Sequence, residues 1–107
     1  MATGDDLRRL ALALPGVEEQ PHMDRAAFRV ARIFVTLGPD GKSANFKFTP
    51  EEQELKCVVA ADAFAAIPNG WGRQGWTQAT LANLTEPELE AALRMAWAHA
   101  QPTRRKR

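Results

Sequence analysis

Residues 26–48 read Ala26-Ala27-Phe28-Arg29-Val30-Ala31-Arg32-Ile33-Phe34-Val35-Thr36-Leu37-Gly38-Pro39-Asp40-Gly41-Lys42-Ser43-Ala44-Asn45-Phe46-Lys47-Phe48. Three apolar sets recur at every second position: Phe28 and Val30, then Ile33, Val35 and Leu37, then Ala44, Phe46 and Phe48. Period two places each set on one face of a sheet. The spacing predicts strands over 26–30, 32–37 and 43–48. Gly38 to Lys42 is dense in turn residues and reverses the chain between the last two. The apolar face is the expected core. The opposite face then carries Arg29, Arg32, Phe34, Thr36, Ser43, Asn45 and Lys47. Antiparallel sheets commonly bury one face and wet the other.

Working outward, Leu7, Leu10, Ala11 and Leu14 fall at i, i+3, i+4 and i+7. That spacing predicts a helix over 4–14, stopped by Pro15-Gly16. A weak strand is expected over 17–21. Thr49-Pro50-Glu51-Glu52 is a capping box with proline at the first helical position. It starts a helix expected over 50–61 that buries Leu55, Val58 and Val59, with Phe64 and Ile67 filling the core behind it. Residues 77–81 read as the last strand. Thr85-Glu86-Pro87-Glu88 repeats the cap. It opens a helix carrying Leu89, Ala92, Leu93, Ala96, Trp97 and Ala100 on one face, ended by Pro102. The order is α, three or four β, α, β, α. This predicts an α+β fold, an antiparallel sheet with helices on one face.

With 107 residues the chain fits one domain, expected over 1–101, followed by a basic tail over 102–107. Apolar residues at 45% and charged residues at 25% exclude a disordered chain. No apolar stretch approaches the ~20 residues a membrane span needs. Residues 1–6 lack the features of a signal peptide, which points to the cytoplasm. The single cysteine, Cys57, cannot form an internal disulfide. Net charge is +1, and Arg104, Arg105, Lys106 and Arg107 supply four of the cations. The remaining body carries about −3. Basic surface must therefore be local.

Cations interleaved with an aromatic are the residue types that neutralise phosphates and stack on bases. Arg29, Arg32 and Lys47 with Phe34 form one such set. The segment Pro68-Asn69-Gly70-Trp71-Gly72-Arg73-Gln74-Gly75-Trp76 forms a second, a glycine-rich loop with two tryptophans. Arg73 there offers paired donors for a phosphate or carboxylate, and Trp71 offers a flat face. Trp76 reads as a core anchor at the start of a strand. His22 sits in a loop and His99 lies far away in sequence, so no set of three metal ligands is expected. Cys57 has no histidine near it and reads as an inert thiol. No dinucleotide loop, Walker loop, zinc-ligand pairing or nucleophile elbow occurs. Neither an enzyme nor a cofactor is expected.

Leu14-Pro15-Gly16-Val17-Glu18-Glu19, the run from Phe28-Arg29-Val30 to Ile33-Phe34, the Trp71-Gly72-Arg73-Gln74-Gly75-Trp76 segment and a closing helix with Trp97 together resemble the MmcQ/YjbR family. The resemblance spans roughly Asp5 to Ala100. Ala31-Arg32 departs from it, standing where the family pattern has glycine then lysine. The resemblance implies a frataxin-like α+β fold and DNA binding through a double-wing-like arrangement, with the tryptophan loop as one wing. Iron binding does not carry over, because Asp5 and Asp6 are followed directly by Arg8 and Arg9. The expectation is a small non-enzymatic module that binds nucleic acid through Arg29, Arg32, Phe34, Lys47, Trp71 and Arg73. The alternative is a protein-interaction or small-anion-binding module, a homodimer included.

Overall fold

Three threonines start the three long helices in the same way. Thr3, Thr49 and Thr85 each accept a bond from the backbone N–H three residues on, and the carboxylates of Asp6, Glu52 and Glu88 each accept one from the capping residue's N–H. Two otherwise unpaired helix donors are satisfied at each start. The computed structural model describes residues 1–102; the expected basic tail beyond Pro102 lies outside the described residues. The elements are α1 (Gly4–Leu12), β1 (Glu18–His22), β2 (Arg25–Arg29), β3 (Ile33–Leu37), β4 (Ser43–Lys47), α2 (Pro50–Val59), β5 (Phe64–Ala66), α3 (Gly70–Arg73), β6 (Trp76–Thr80) and α4 (Glu86–His99). Helix α1 ends before the apolar spacing does. Leu14 is still buried, beyond the helix end.

The six strands form one antiparallel sheet in the order β1-β2-β3-β4-β6-β5. Cross-strand partners share a face, so the register defines the core rungs. Phe28, Val35, Phe46 and Thr77 form one, and Ala26, Leu37, Ala44, Ala79 and Phe64 the next. Helix α4 crosses this face and buries Leu89, Ala92, Leu93 and Ala96, while α1 packs beside it through Leu7 and Ala11. Phe46 stacks on Phe48 at 5.5 Å, and Phe64 meets both edge-on. Each large side chain so buried contributes about 1.5–3 kcal/mol.

Alternation fails at one place. Phe28 pairs with Val35, but Arg29 pairs with Ile33. Phe34 is thus an extra residue in β3, a β-bulge. The bulge reverses the parity of everything before it. Ile33, expected in the core, shares the face of Arg29. Phe34, expected on the wet face, is 1% exposed and belongs to the core.

A second expectation fails in α2, which buries none of its residues completely. Leu55, Val58 and Val59 are 62%, 74% and 75% exposed. The inward face is Gln53, Lys56, Cys57 and Ala60, at i, i+3, i+4 and i+7. Cys57 and Ala60 pack against the core. Lys56 reaches over the Phe48 and Phe64 rings at 5.9 and 5.5 Å. Gln53 Nε2 donates to the Gly72 and Trp76 carbonyls, both at 2.9 Å. Each carbonyl also accepts a backbone N–H, from Gly75 and Ile67 respectively, so Gln53 adds a second bond to both, and the helix turns this polar residue inward in place of its apolar row. Phe64 fills the core as expected, but from within strand β5. Leu81, expected in the last strand, begins a 3-10 turn.

Candidate functional site

The bulge opens a notch in the sheet. Pairing between β3 and β4 stops at Val35–Phe46. On either side it continues, to Arg29–Ile33 between β2 and β3 and to Lys47–Trp76 between β4 and β6. The two central strands splay, leaving a cavity of about 510 Å³. Arg32, Ile33 and Phe34 form one wall. Lys47, Phe48, Thr49 and Trp76 form the other, and the last turn of α4 closes the floor through Ala96, His99 and Ala100. The Arg32 guanidinium donates to the carbonyls of His99 at 2.9 Å and Gln101 at 3.3 Å. Through Nη2 it caps the negative end of α4, which leaves Nε and Nη1 without a partner among the described residues. His99 Nε2 lies 2.9 and 3.0 Å from the two carboxylate oxygens of Glu52. Burial works against the Glu52 carboxylate, but the Thr49 N–H and the His99 ring outweigh it and hold its pKa below the ordinary value.

A smaller cavity, about 260 Å³, lies on the sheet face away from α4. Its floor is Thr36 and Asn45, neighbours in register. Arg25 lies across the floor, with Nε donating to Thr36 Oγ1 at 2.8 Å. The β1–β2 turn forms one rim, with Met23 92% exposed at φ 61°. Ile67, Trp71 and Trp76 form the other. Trp76 therefore walls both cavities.

The loop that presents Trp71 is tightly held. A Cβ at Gly72 would stand 1.7 Å from the Ile67 carbonyl oxygen, and one at Gly75, where φ is +107°, would stand 1.9 Å from that of Phe48. Only glycine permits such approaches. Asn69 has φ 88° and ψ −165°, a region adopted almost only by glycine, and its Oδ1 accepts from the Trp71 N–H at 2.8 Å. Trp71 itself is 60% exposed.

Charge divides by layer. On the helical side, Arg8 pairs with Glu19, Arg9 with Asp6 and Glu86, Arg94 with Glu90, and His99 with Glu52. Arg25, Arg29, Lys47 and Arg73 form no ion pair with any described carboxylate. Glu18 is directly opposite Arg29 in register and still does not bond it. Arg29 donates to the Ala31 carbonyl, while its buried Nε has no partner among the described residues. The open sheet face thus carries cations without ion pairs, with the unpaired Glu18 among them, whereas the arginines of α1 and α4 meet carboxylates and Lys56 of α2 lies over Phe48 and Phe64 instead.

The sequence model of the YjbR family matches residues 12–99. The chain belongs to the YjbR family. Among solved structures, the Deinococcus radiodurans protein DR2400, which carries the domain DUF419, is 24% identical with a TM-score of 0.75. The match covers 90% of this chain and 76% of that one, and it establishes a shared fold. No curated protein matches the chain.

On this YjbR framework the residues singled out from sequence separate into groups. Arg32, Phe34 and Lys47 meet at the notch. Trp71 stands at the second cavity. Arg29 lies on the same sheet face as Lys47, two strands away. Arg73 is exposed at the end of α3. Trp76, expected as a core anchor, is half-buried on the open face opposite Lys47. His22 joins the rim of the second cavity. Ile67, expected to fill the core, is half-buried at this cavity instead, and Arg25 and Met23 were not anticipated as site residues. Arg25 had a signal, since Arg25, Ala27 and Arg29 alternate on one face. Among the described residues no three His, Cys, Asp or Glu side chains converge as a metal site requires, and no helix is long and apolar enough to cross a membrane.

Proposed function

We propose that this YjbR chain is a non-enzymatic module that binds nucleic acid, DNA foremost, through the open face of its sheet. The observation that carries the proposal is the division of charge. Cations left without carboxylates hold their full attraction for a polyanion, because no internal partner must be displaced. Arg29 and Lys47 lie on a face of amides and hydroxyls, Asn45, Gln78, Ser43 and Thr80, with Glu18 beside Arg29 and two tryptophans at one end, and Arg73 is exposed at the end of α3. Cations position phosphates, while aromatic and amide groups meet bases.

Three phosphate contacts on duplex DNA give a slope of log K against log salt of about −3, at ~0.9 per contact. A fluorescence-anisotropy salt titration measures it. The double variant Arg29→Glu, Lys47→Glu loses binding with its circular dichroism unchanged. Binding that is absent at low salt, or independent of salt, defeats the proposal.

One observation favours a second reading, protein interaction. Leu55, Val58 and Val59 form an exposed apolar row on α2, on the helical side. Beside it a groove of about 250 Å³ runs between α2 and α4, with Ala91 and Met95 on its far wall. Sedimentation at tens of micromolar distinguishes the readings. A dimer that Val58→Glu disperses supports this one.

A further inference from the structure

We propose that the cavity between Trp71 and Trp76 receives one unstacked base of a single-stranded nucleic acid, an inference that rests on the polyanion reading above and specifies its substrate. Size limits the occupant first. About 260 Å³ lies below the roughly 300–1,000 Å³ of pockets for drug-sized ligands, and far above the ~30 Å³ share of one water. The cavity suits a single ring system.

The walls then select its chemistry. Trp71 and Trp76 offer flat aromatic surfaces, and Ile67 adds an apolar edge. The floor is polar. The Asn45 side-chain amide makes no hydrogen bond with any described residue, so its donor and its acceptor both remain for a ligand. Thr36 Oγ1 already accepts from Arg25 Nε, which directs its own hydroxyl proton elsewhere. Flat walls above a paired donor and acceptor match the face and the edge of a nucleobase. The Arg25 guanidinium in the floor and the Asp24 carboxylate on the rim offset one another, which suits a neutral ring.

Trp71 is also held out by structure that resists its collapse. The Asn69 side chain fixes the Trp71 N–H, and the contacts of Gly72 and Gly75 hold the loop to the backbone beneath. Backbone in a region that disfavours a side chain persists only where its surroundings enforce it, and such strain gathers at ligand sites. The rim of this one cavity carries Met23, and Asn69 fixes its Trp71; they are the two non-glycine residues of positive φ among the described residues.

The neighbouring notch supplies a cation for the phosphate. Lys47 stands directly opposite Trp76, the wall common to both cavities. A base lodged on one side of that ring leaves its backbone near the Lys47 ammonium on the other. A base within an intact duplex enters only at the cost of unstacking and unpairing, so single strands are preferred.

The test compares a thymidine oligonucleotide, an abasic strand of equal length and charge, and a duplex, each titrated at a series of salt concentrations and compared at the same low salt. The normal strand binds about tenfold more tightly than the abasic strand, within the range base–aromatic stacking supplies, and quenches tryptophan emission. Trp71→Ala reduces that preference to within about twofold while leaving salt-dependent binding of the abasic strand intact. Trp71 is exposed, so the variant folds, and its melting temperature verifies this. Equal affinity for normal and abasic strands, with a steep salt dependence, overturns the base pocket and leaves the polyanion reading standing. Absence of binding to every strand overturns both. Quenching by a peptide but by no oligonucleotide transfers the cavity to a protein ligand and overturns both as well.

Discussion

Phe34→Ala is the sharpest test of the bulge. Strict alternation puts Phe34 in water, where truncation changes stability by less than about 0.5 kcal/mol. The bulge buries it to 1% exposure within the core. A phenylalanine removes ~200 Å² from water, worth about 5 kcal/mol at ~25 cal/mol per Å². The lost ring borders the notch, which lets the site relax and admits water, so the expected cost is about 3–4 kcal/mol, within the range for buried Phe→Ala changes. For a chain of this size that lowers Tm by about 15 °C or more. Urea unfolding, followed by circular dichroism, measures the free energy, and an unchanged m-value confirms that the native state is intact. Lys47→Ala, across the notch, is the control and shifts stability by less than about 0.5 kcal/mol. A Phe34→Ala cost under about 1 kcal/mol would refute the register, and with it the splayed strands and the notch.

Gly75→Ala places a methyl group within the Phe48 carbonyl at a positive φ, and its cost exceeds about 3 kcal/mol by thermal melting. Leu55→Gln and Val59→Gln, on the exposed face of α2, each change urea stability by less than about 0.5 kcal/mol, whereas a buried face there would make both cost ~2 kcal/mol or more. The Glu52 pKa is lower in the folded chain than its ordinary 4.5, so the unfolded chain binds more protons in the interval between the two values. This contribution to stability is complete above pH 4.5 and is lost as pH falls through the folded value. Glu52→Gln therefore flattens the acid limb of a stability–pH profile, and an unchanged limb contradicts the bond to His99.

Most of the architecture is legible in the sequence because its signals are local. Each Thr-x-x-Asp/Glu cap marks a helix start, and α4 declares itself by the recurrence of Leu89, Ala92, Leu93 and Ala96. The period of two between Phe28 and Phe48 correctly gives an antiparallel sheet with one face buried. What escapes is whatever depends on a partner distant in sequence. Nothing near Phe34 announces an extra residue in β3, because a bulge exists only relative to the opposing strand. The rotation of α2 turns Gln53 toward the carbonyls of Gly72 and Trp76, about twenty positions away. Arg32 looks like a free cation until the end of α4 arrives beside it. The tryptophan loop is conspicuous by composition, yet its pairing with Asn45 and Thr36 requires the sheet between them.

The two margins of the sheet bear on how the chain behaves at high concentration. One margin is β1, whose sequence Glu18-Glu19-Gln20-Pro21-His22 sets two carboxylates and a residue without an N–H along the border. The other is β5, only three residues long. Like-charged ends repel, proline cannot donate to an incoming backbone, and so short a template offers little to extend. A broad uncovered surface can therefore stay wet in a crowded solution without seeding filaments by strand addition.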